Sequence, residues 1–182
     1  MRLRQILLAR LAAHSPREHL FLWLSAVLAL LLLLLDQWTK FWVERTFELH
    51  ESRPLIEGWL SFTSVRNYGA AWSMLSGHGW ILLLIAVAAL AAILRFFHSL
   101  TEGWPERYVA AFMVISGILG NSIDRLWRGA VVDFIDVHYY SVWHYPVFNV
   151  ADIAICTGVG IFILSTLSRP EKSKDARQDA DR

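Results

Sequence analysis

Two aspartates stand out because their surroundings bias their carboxyl groups in opposite directions. Asp133 lies in the apolar stretch Val131–Ile135, where desolvation disfavours the charged form and raises the pKa of the carboxyl. Asp152 begins an apolar segment, where the positive end of a helix dipole favours a negative charge. Such a pair suits general acid–base chemistry on water, because one carboxyl accepts a proton while the other holds one. Sequence leaves open which one is the acid, because coupled carboxyls titrate as a pair.

Two further polar groups have a structural interpretation beside a functional one. Asn149 and Asp152 are three residues apart, the spacing of a helix N-cap and its acidic third residue. Asp36 and Lys40 are four apart and share a helix face. They form either an interfacial ion pair, with Lys40 extending outward to water, or part of the wall of a site.

A third set of polar residues, and separately a run of small residues, could also contribute to a site. Asn121, Asp124 and Arg125 stand at positions i, i+3 and i+4, which predicts a hydrogen-bonded knot with an internal ion pair at a helix end. Arg125 is alternatively placed to hold a nearby carboxylate or a lipid head group. The stretch "NYGAAWS" has one glycine and two alanines in a row, which allow close approach of a helix or a substrate.

Two histidines near the aspartates raise the question of a metal site. His138, His144 and Asp136 have a spacing that matches no common zinc pattern. Interfacial histidine and tyrosine, with Asp136 as a surface or capping acid, are favoured over metal ligands. The sequence therefore predicts no metal and no cofactor.

The rest of the chain is too apolar for a soluble domain and indicates a multi-pass membrane protein. Of its 182 residues, 55% are hydrophobic and 18% charged, and nine are tryptophan. The basic residues form no single patch, which argues against a nucleic-acid partner. The only cysteine, Cys156, excludes an intramolecular disulfide and a cysteine-based zinc cluster, and is interpreted as a small packed residue.

Four apolar segments are each near the roughly 20 residues that a membrane-spanning helix needs. They are Leu20–Leu35 with an extension to Trp42, Trp80–Phe97, Tyr108–Ile123 and Val150–Leu167. The first lacks a small-x-small cleavage site and is interpreted as an uncleaved helix rather than a signal peptide. Between the first two, "EGWLSFTSVRN" is typical of a strand. We expect an all-α membrane protein of four helices with a small β element at about residues 43–70.

The distribution of basic residues predicts that both termini are cytoplasmic. With the N-terminus inside, the inner segments hold 11 of the 17 Lys and Arg residues: Arg2, Arg4, Arg10, Arg17, Arg95, Arg107, Arg169, Lys172, Lys174, Arg177 and Arg182. The expected organisation is a cytoplasmic segment at 1–19, a membrane domain at 20–168 and a polar cytoplasmic tail at 169–182. Every polar motif then falls at the outer membrane surface, as the parts of one site would.

Five motifs in order carry a resemblance to a known family. They are "DQWTK", "NYGAAW", "GILGNSIDR", "GAVVDFI" and "FNVAD", between residues 36 and 152. Each motif alone is weak, but as an ordered set on a chain of this length they resemble lipoprotein signal peptidase (signal peptidase II), a bacterial family of aspartic peptidases. Two departures, Trp72 in place of phenylalanine and Ser116 in place of glycine, affect the shape of the pocket.

The resemblance implies a function and a set of site residues. The family cleaves signal peptides from diacylglyceryl-modified prolipoproteins just before the lipidated cysteine, in the bacterial cytoplasmic (inner) membrane with the active site at its outer, periplasmic surface. It also implies inhibition by globomycin-type cyclic peptides. The catalytic pair falls on Asp133 and Asp152. The supporting residues fall on Asp36, Lys40, Asn67, Gly69, Asn121, Asp124, Arg125 and Asn149.

Two other classes of protein remain as alternatives. An intramembrane aspartic protease is expected to carry a G-x-G-D motif, which this sequence lacks. A non-enzymatic transporter or lipid-binding protein would use Asp36, Asp124 and Asp152 to line a polar path, and is expected to show repeat symmetry or ionisable residues deep in several spans. Neither feature is visible in the sequence.

Overall fold

The computed structural model describes residues 16–70 and 74–169, which form four long helices and one four-stranded antiparallel sheet. In chain order the elements are α1 Pro16–Thr46, β1 Ser52–Ile56, β2 Leu60–Asn67, α2 Gly79–Thr101, α3 Pro105–Trp127, β3 Val131–Tyr139, β4 Trp143–His144 and α4 Val150–Ser168. Most of the predicted N-terminal segment, the tail beyond Arg169 and Trp72 lie outside the described residues.

All four helices are long and apolar enough to cross a membrane. They contain 31, 23, 23 and 19 residues, against the roughly 20 that a bilayer requires. Their apolar side chains point outward, and Leu30, Leu31 and Leu34 are each more than half exposed. In water such a surface would be unfavourable, whereas in lipid it is the expected one. The four predicted spans are confirmed, and α1, α2 and α3 continue beyond their apolar stretches into more polar sequence.

The sheet is larger than the sequence predicted. Strands β1 and β2 lie in the predicted β element between α1 and α2, but β3 and β4 come from the connection between α3 and α4. The first four residues of β3 are all buried, so this strand lacks the alternation of apolar and polar residues that identifies a half-exposed strand. The description as all-α with a small β element is therefore incomplete.

An apolar cluster fastens the sheet to the end of α1. Val43 of α1 and Phe47, which follows this helix, pack against Val132 and Phe134 of β3, with Phe62 of β2 beside them. Because β3 is thereby held against the helices, the position of Asp133 within it is also constrained.

Glycines bring the helix backbones into close contact. A Cβ atom added at Gly158 of α4 would lie 2.7 Å from the carbonyl oxygen of Ala110 in α3, and one at Gly120 would lie 2.5 Å from the Asp36 carboxylate in α1. A Cβ at Gly117 would overlap the carbonyl oxygen of Ala151. By contrast, no atom of the described residues lies within 4 Å of the corresponding position at Gly160. Small residues are therefore required where α3 meets α1 and α4.

Gly158→Ala is expected to lower the thermal unfolding midpoint of the detergent-solubilised protein. The added methyl group meets backbone rather than a flexible side chain, and overpacking of this kind costs about 1–3 kcal/mol. Gly160→Ala, on the same helix, is the matched control and should leave the midpoint equal or higher because alanine favours helix by up to about 1 kcal/mol. Equal midpoints for the two variants would contradict the close α3–α4 contact.

Candidate active site

Asp133 and Asp152 line one cavity of about 650 Å³ between the sheet and the helices. Strand β3 supplies Asp133, which is buried, and the first turn of α4 supplies Asp152, which is partly exposed. Asn67, Asn121 and Arg125 also line this cavity. The structure thus brings together residues from four separate motifs of the sequence.

Asn149 connects the two aspartates. Its side-chain amide donates to Asp133 Oδ1 at 2.6 Å, and its backbone N–H donates to Asp152 Oδ2 at 3.2 Å. Its Oδ1 accepts from the backbone N–H of Asp152 at 3.0 Å, which completes the predicted capping box at the start of α4. Asn149 is fully buried, so one cap fixes both the helix start and the relative position of the two carboxyls.

Every oxygen of the two carboxyls receives one N–H from an uncharged group. Asn67 Nδ2 donates to Asp133 Oδ2 at 2.9 Å, and Asn121 Nδ2 donates to Asp152 Oδ1 at 2.8 Å. The other two oxygens are held by Asn149. A carboxylate oxygen has two lone pairs, so these four hydrogen bonds do not use all the acceptor positions of the two carboxyls.

Burial, and to a smaller extent the negative charge of Asp152, raise the pKa of Asp133 from 3.8 to about 7. The hydrogen bonds from Asn67 and Asn149 and the charge of Lys40 act in the opposite direction. The increase predicted from the apolar flanks is confirmed. At neutral pH this carboxyl is therefore divided between its protonated and charged forms.

A buried lysine lies behind the site. Lys40 is completely buried, and its Nζ lies 2.9 Å from Asp36 Oδ2 and 2.8 Å from Asp124 Oδ2. It also donates to Asn121 Oδ1 at 3.0 Å. The interpretation of Lys40 as an interfacial residue extending to water is wrong, because a second carboxylate, from α3, holds its ammonium inside the protein.

The two carboxylates that flank Lys40 each hold the chain next to a candidate aspartate. Asp36 Oδ1 accepts from the backbone N–H of Ala151, the residue before Asp152, at 2.9 Å. Asp124 Oδ2 accepts from the backbone N–H of Val132, the residue before Asp133, at 3.2 Å. The ion pairs therefore set the position of both candidate aspartates from behind without touching either carboxyl.

Arg125 makes the predicted hydrogen bond with Asn121 but not the predicted ion pair with Asp124. Its Nη2 donates to the carbonyl oxygen of Gly69 at 2.9 Å and its Nη1 to that of Asn121 at 3.2 Å. The expected ion pair with Asp124 is wrong, since Asp124 instead pairs with Arg128 at 2.6 Å. Arg125 joins the end of β2 to α3, and Gly69 is held in turn by Asn67.

Several residues of the network were not identified from sequence. Arg128 extends the ion pairs to Glu44 at 2.7 Å, and Glu44 pairs with Arg66 at 2.6 Å. Gln37 donates to both Asp36 and Asp124. Glu44 and Arg128 each follow a predicted residue by four positions, a signal that could have found them. Cys156 is exposed and lines the cavity, so its interpretation as a packed residue is wrong.

Comparison with known proteins gives a consistent result. The sequence profile of a family described as Signal peptidase (SPase) II matches residues 28–168. A lipoprotein signal peptidase of Pasteurella multocida is 46% identical over 148 residues, covering 79% of this chain and 86% of that protein. One of Halalkalibacterium halodurans is 38% identical over 148 residues, covering 81% and 94%. A solved structure described as a bacterial membrane enzyme has a TM-score of 0.74 at 33% identity, covering 82% of this chain and 94% of that one.

Lys40→Met is expected to destabilise the protein strongly. It leaves Asp36 and Asp124 buried without their shared cation, and breaking a buried ion pair in this way costs about 3–5 kcal/mol. The matched control is Arg53→Met, whose ion pair with Glu51 is exposed and worth about 0–1 kcal/mol. Thermal unfolding in detergent measures both variants. A Lys40→Met protein as stable as Arg53→Met would show that the network does not hold the fold.

Proposed function

We propose, since the chain belongs to the signal peptidase II family of aspartic membrane peptidases, that it cleaves the signal peptide from diacylglyceryl-modified prolipoproteins just before the lipidated cysteine. The observation that carries this proposal is the pair Asp133 and Asp152 in one cavity, bridged by Asn149. A transporter or lipid-binding protein does not account for membership of a peptidase family.

Asp133 and Asp152 activate a water molecule held between them. Asp152, as the carboxylate, takes a proton from the water as its oxygen attacks the carbonyl carbon of the scissile peptide bond. Asp133, whose pKa is raised to about 7 so that it holds a proton below that pH, donates a hydrogen bond to the oxyanion that develops. When the tetrahedral intermediate collapses, the C–N bond breaks and the amine of the lipidated cysteine leaves with a proton from the pair.

The surrounding residues orient the pair and the substrate. Asn67, Asn121 and Asn149 supply the uncharged donors that hold the carboxyls. Arg125 lines the cavity and is held by its hydrogen bond to the carbonyl oxygen of Gly69. Asp36 and Asp124 act through the backbone N–H groups that they accept, and Lys40 also holds the side chain of Asn121, which donates to Asp152. The chemistry uses two carboxyls and water, with no covalent intermediate.

The setting that fits this reaction is a bacterial inner membrane with the cavity at its outer face. The predicted excess of Lys and Arg in the segments that contain the two termini supports cytoplasmic termini. A signal peptide crosses with its charged end inside, so its cleavage site then lies at the outer surface beside the cavity. In this orientation, residues 1–19 and 169–182 are cytoplasmic and residues 20–168 form the membrane domain. Globomycin-type cyclic peptides are proposed to occupy the cavity in place of substrate.

Asp133→Asn and Asp152→Asn are each expected to reduce turnover by roughly 100- to 10 000-fold, because each removes one acid–base partner. The substrate is a synthetic prolipoprotein with a lipobox, with and without diacylglyceryl on its cysteine, and mass spectrometry identifies the products. Glu48→Gln, which removes an exposed carboxylate outside the cavity, is the matched control. The proposal fails if either aspartate variant is folded and cleaves at the wild-type rate, or if the unlipidated substrate is cleaved equally well.

The activity of the wild-type enzyme is expected to fall as the pH rises above about 7. The pKa of Asp133 is raised from 3.8 to about 7, so its proton is present below that pH and lost above it. Since kcat/KM reports groups of the free enzyme, it should fall about tenfold per pH unit on the alkaline side. A profile that stayed flat to well above pH 7, in protein shown to remain folded, would exclude Asp133 as the acid.

A further inference from the structure

The hairpin of β3 and β4 brings three potential metal ligands together. His138 and His144 are directly opposite each other in the antiparallel pair, and Asp136 precedes His138 by two residues on β3. Residues two apart on a strand lie on the same face, and cross-strand neighbours have adjacent side chains. The hairpin register therefore places all three side chains in one group.

The distances within this group are close to those of a metal site. Asp136 Oδ1 lies 3.5 Å from His138 Nδ1 and 3.8 Å from His144 Nδ1. One ligand atom from each of the three residues lies within 4.8 Å of the others. In a tetrahedral site with bonds of about 2.0–2.1 Å, neighbouring ligand atoms are roughly 3.3 Å apart. Small side-chain rotations would therefore close the triangle around an ion.

Two of these atoms are buried and lack hydrogen bonds. Asp136 Oδ1 and His138 Nδ1 have no hydrogen-bond partner among the described residues, and the side chains of both residues are only 13% exposed. Buried polar atoms are nearly always paired, so two adjacent exceptions facing each other require a partner. A cation between them would satisfy both at once.

The other atoms of the group are already oriented for binding. Thr63 of β2 donates to Asp136 Oδ2 at 2.9 Å, which leaves Oδ1 directed to the histidines. The imidazole rings of His138 and His144 stack at 5.3 Å with an interplanar angle of 24°. Hydrogen bonds from a hydroxyl to the non-coordinating oxygen are a common support of metal-binding carboxylates.

We propose that Asp136, His138 and His144 bind one divalent transition-metal ion with the ligand preference of Zn²⁺, two imidazole nitrogens and one carboxylate oxygen. Such a donor set suits Zn²⁺, whereas Mg²⁺ prefers six oxygen ligands. Water or a substrate group completes the coordination. The sequence spacing argued against a metal because the separation of six positions between His138 and His144 matches no common pattern. The hairpin turn nevertheless places the two histidines opposite each other in space.

The ion would stabilise the wall of the cavity. β4 contains only two residues, so few backbone hydrogen bonds hold the hairpin end to β3. Asp136 and His144 both line the cavity that contains Asp133 and Asp152. A metal bridge across the hairpin would fix this wall without entering the hydrolytic step, and it is independent of the proposed substrate.

The test is isothermal titration of the untagged, chelator-treated full-length protein in detergent with ZnCl₂, and in a second series with MgCl₂, at a pH above 7. We expect one Zn²⁺ per chain, a higher thermal unfolding midpoint with Zn²⁺, and no saturable Mg²⁺ binding. His144→Ala, at an exposed residue, should abolish saturable Zn²⁺ binding while the metal-free protein keeps its unfolding midpoint. Thr63→Val should weaken binding by about tenfold. His78→Ala, at an exposed histidine outside the group, should bind Zn²⁺ as the wild type does.

The ligand atoms are identified by X-ray absorption of the Zn²⁺-loaded protein, where two imidazoles and light oxygen donors are expected. Equal Zn²⁺ binding by wild type, His144→Ala and a His138→Ala/His144→Ala double variant would show adventitious binding and overturn the proposal. Absence of saturable Zn²⁺ binding to folded wild type would also overturn it, and would identify the group as an Asp136–histidine charge pair. Loss of binding in His78→Ala would place the ion elsewhere.

Discussion

The position of the two candidate catalytic aspartates depends on one buried ammonium group. Lys40 of α1 neutralises Asp36 and Asp124, and these carboxylates then accept the backbone N–H groups of Ala151 and Val132. A carboxylate without a counter-ion would be costly at this depth. The lysine therefore allows two carboxylates to hold the backbone immediately before Asp152 and Asp133. The ion pairs thus fix the backbone next to each aspartate, while the side-chain amides of the asparagines hold the carboxyls themselves.

Charge balance explains why the network extends beyond Lys40. Asp36, Lys40, Asp124 and Arg128 alternate in sign and sum to zero, and Glu44 and Arg66 continue the alternation. Each buried charge therefore has an opposite neighbour, which limits the cost of desolvation. The carboxyls of Asp133 and Asp152, in contrast, are held by uncharged amides. A carboxylate paired with an ammonium group stays charged, which suits a residue that supports the fold. A carboxyl held by uncharged amides can still gain and lose a proton.

Strand β3 connects the two sites described. Asp133 lies near its beginning, where the strand is buried against α1, and Asp136 and His138 lie toward its exposed end. The cavity that contains Asp133 and Asp152 and the proposed metal site therefore share one wall. His144 of β4 lines this cavity, so the rigidity of the hairpin affects the shape of the cavity.

The sequence alone determined the four spans and the capping box at Asn149, because each depends on residues that are neighbours along the chain. The apolar flanks also predicted the direction of the pKa shift of Asp133, but the fold supplies its burial and the nearby charge of Asp152. The motifs predicted that Asp133 and Asp152 belong to one site, and the structure places both in one cavity. Only the tertiary structure decided that Lys40 turns inward, that Asp124 pairs with Arg128, and that His138 faces His144. It also decided that β3 joins the sheet. The physical reason is that helical and apolar periodicity report local burial, whereas the partner of a buried charge and the register of a hairpin depend on elements far apart in the chain.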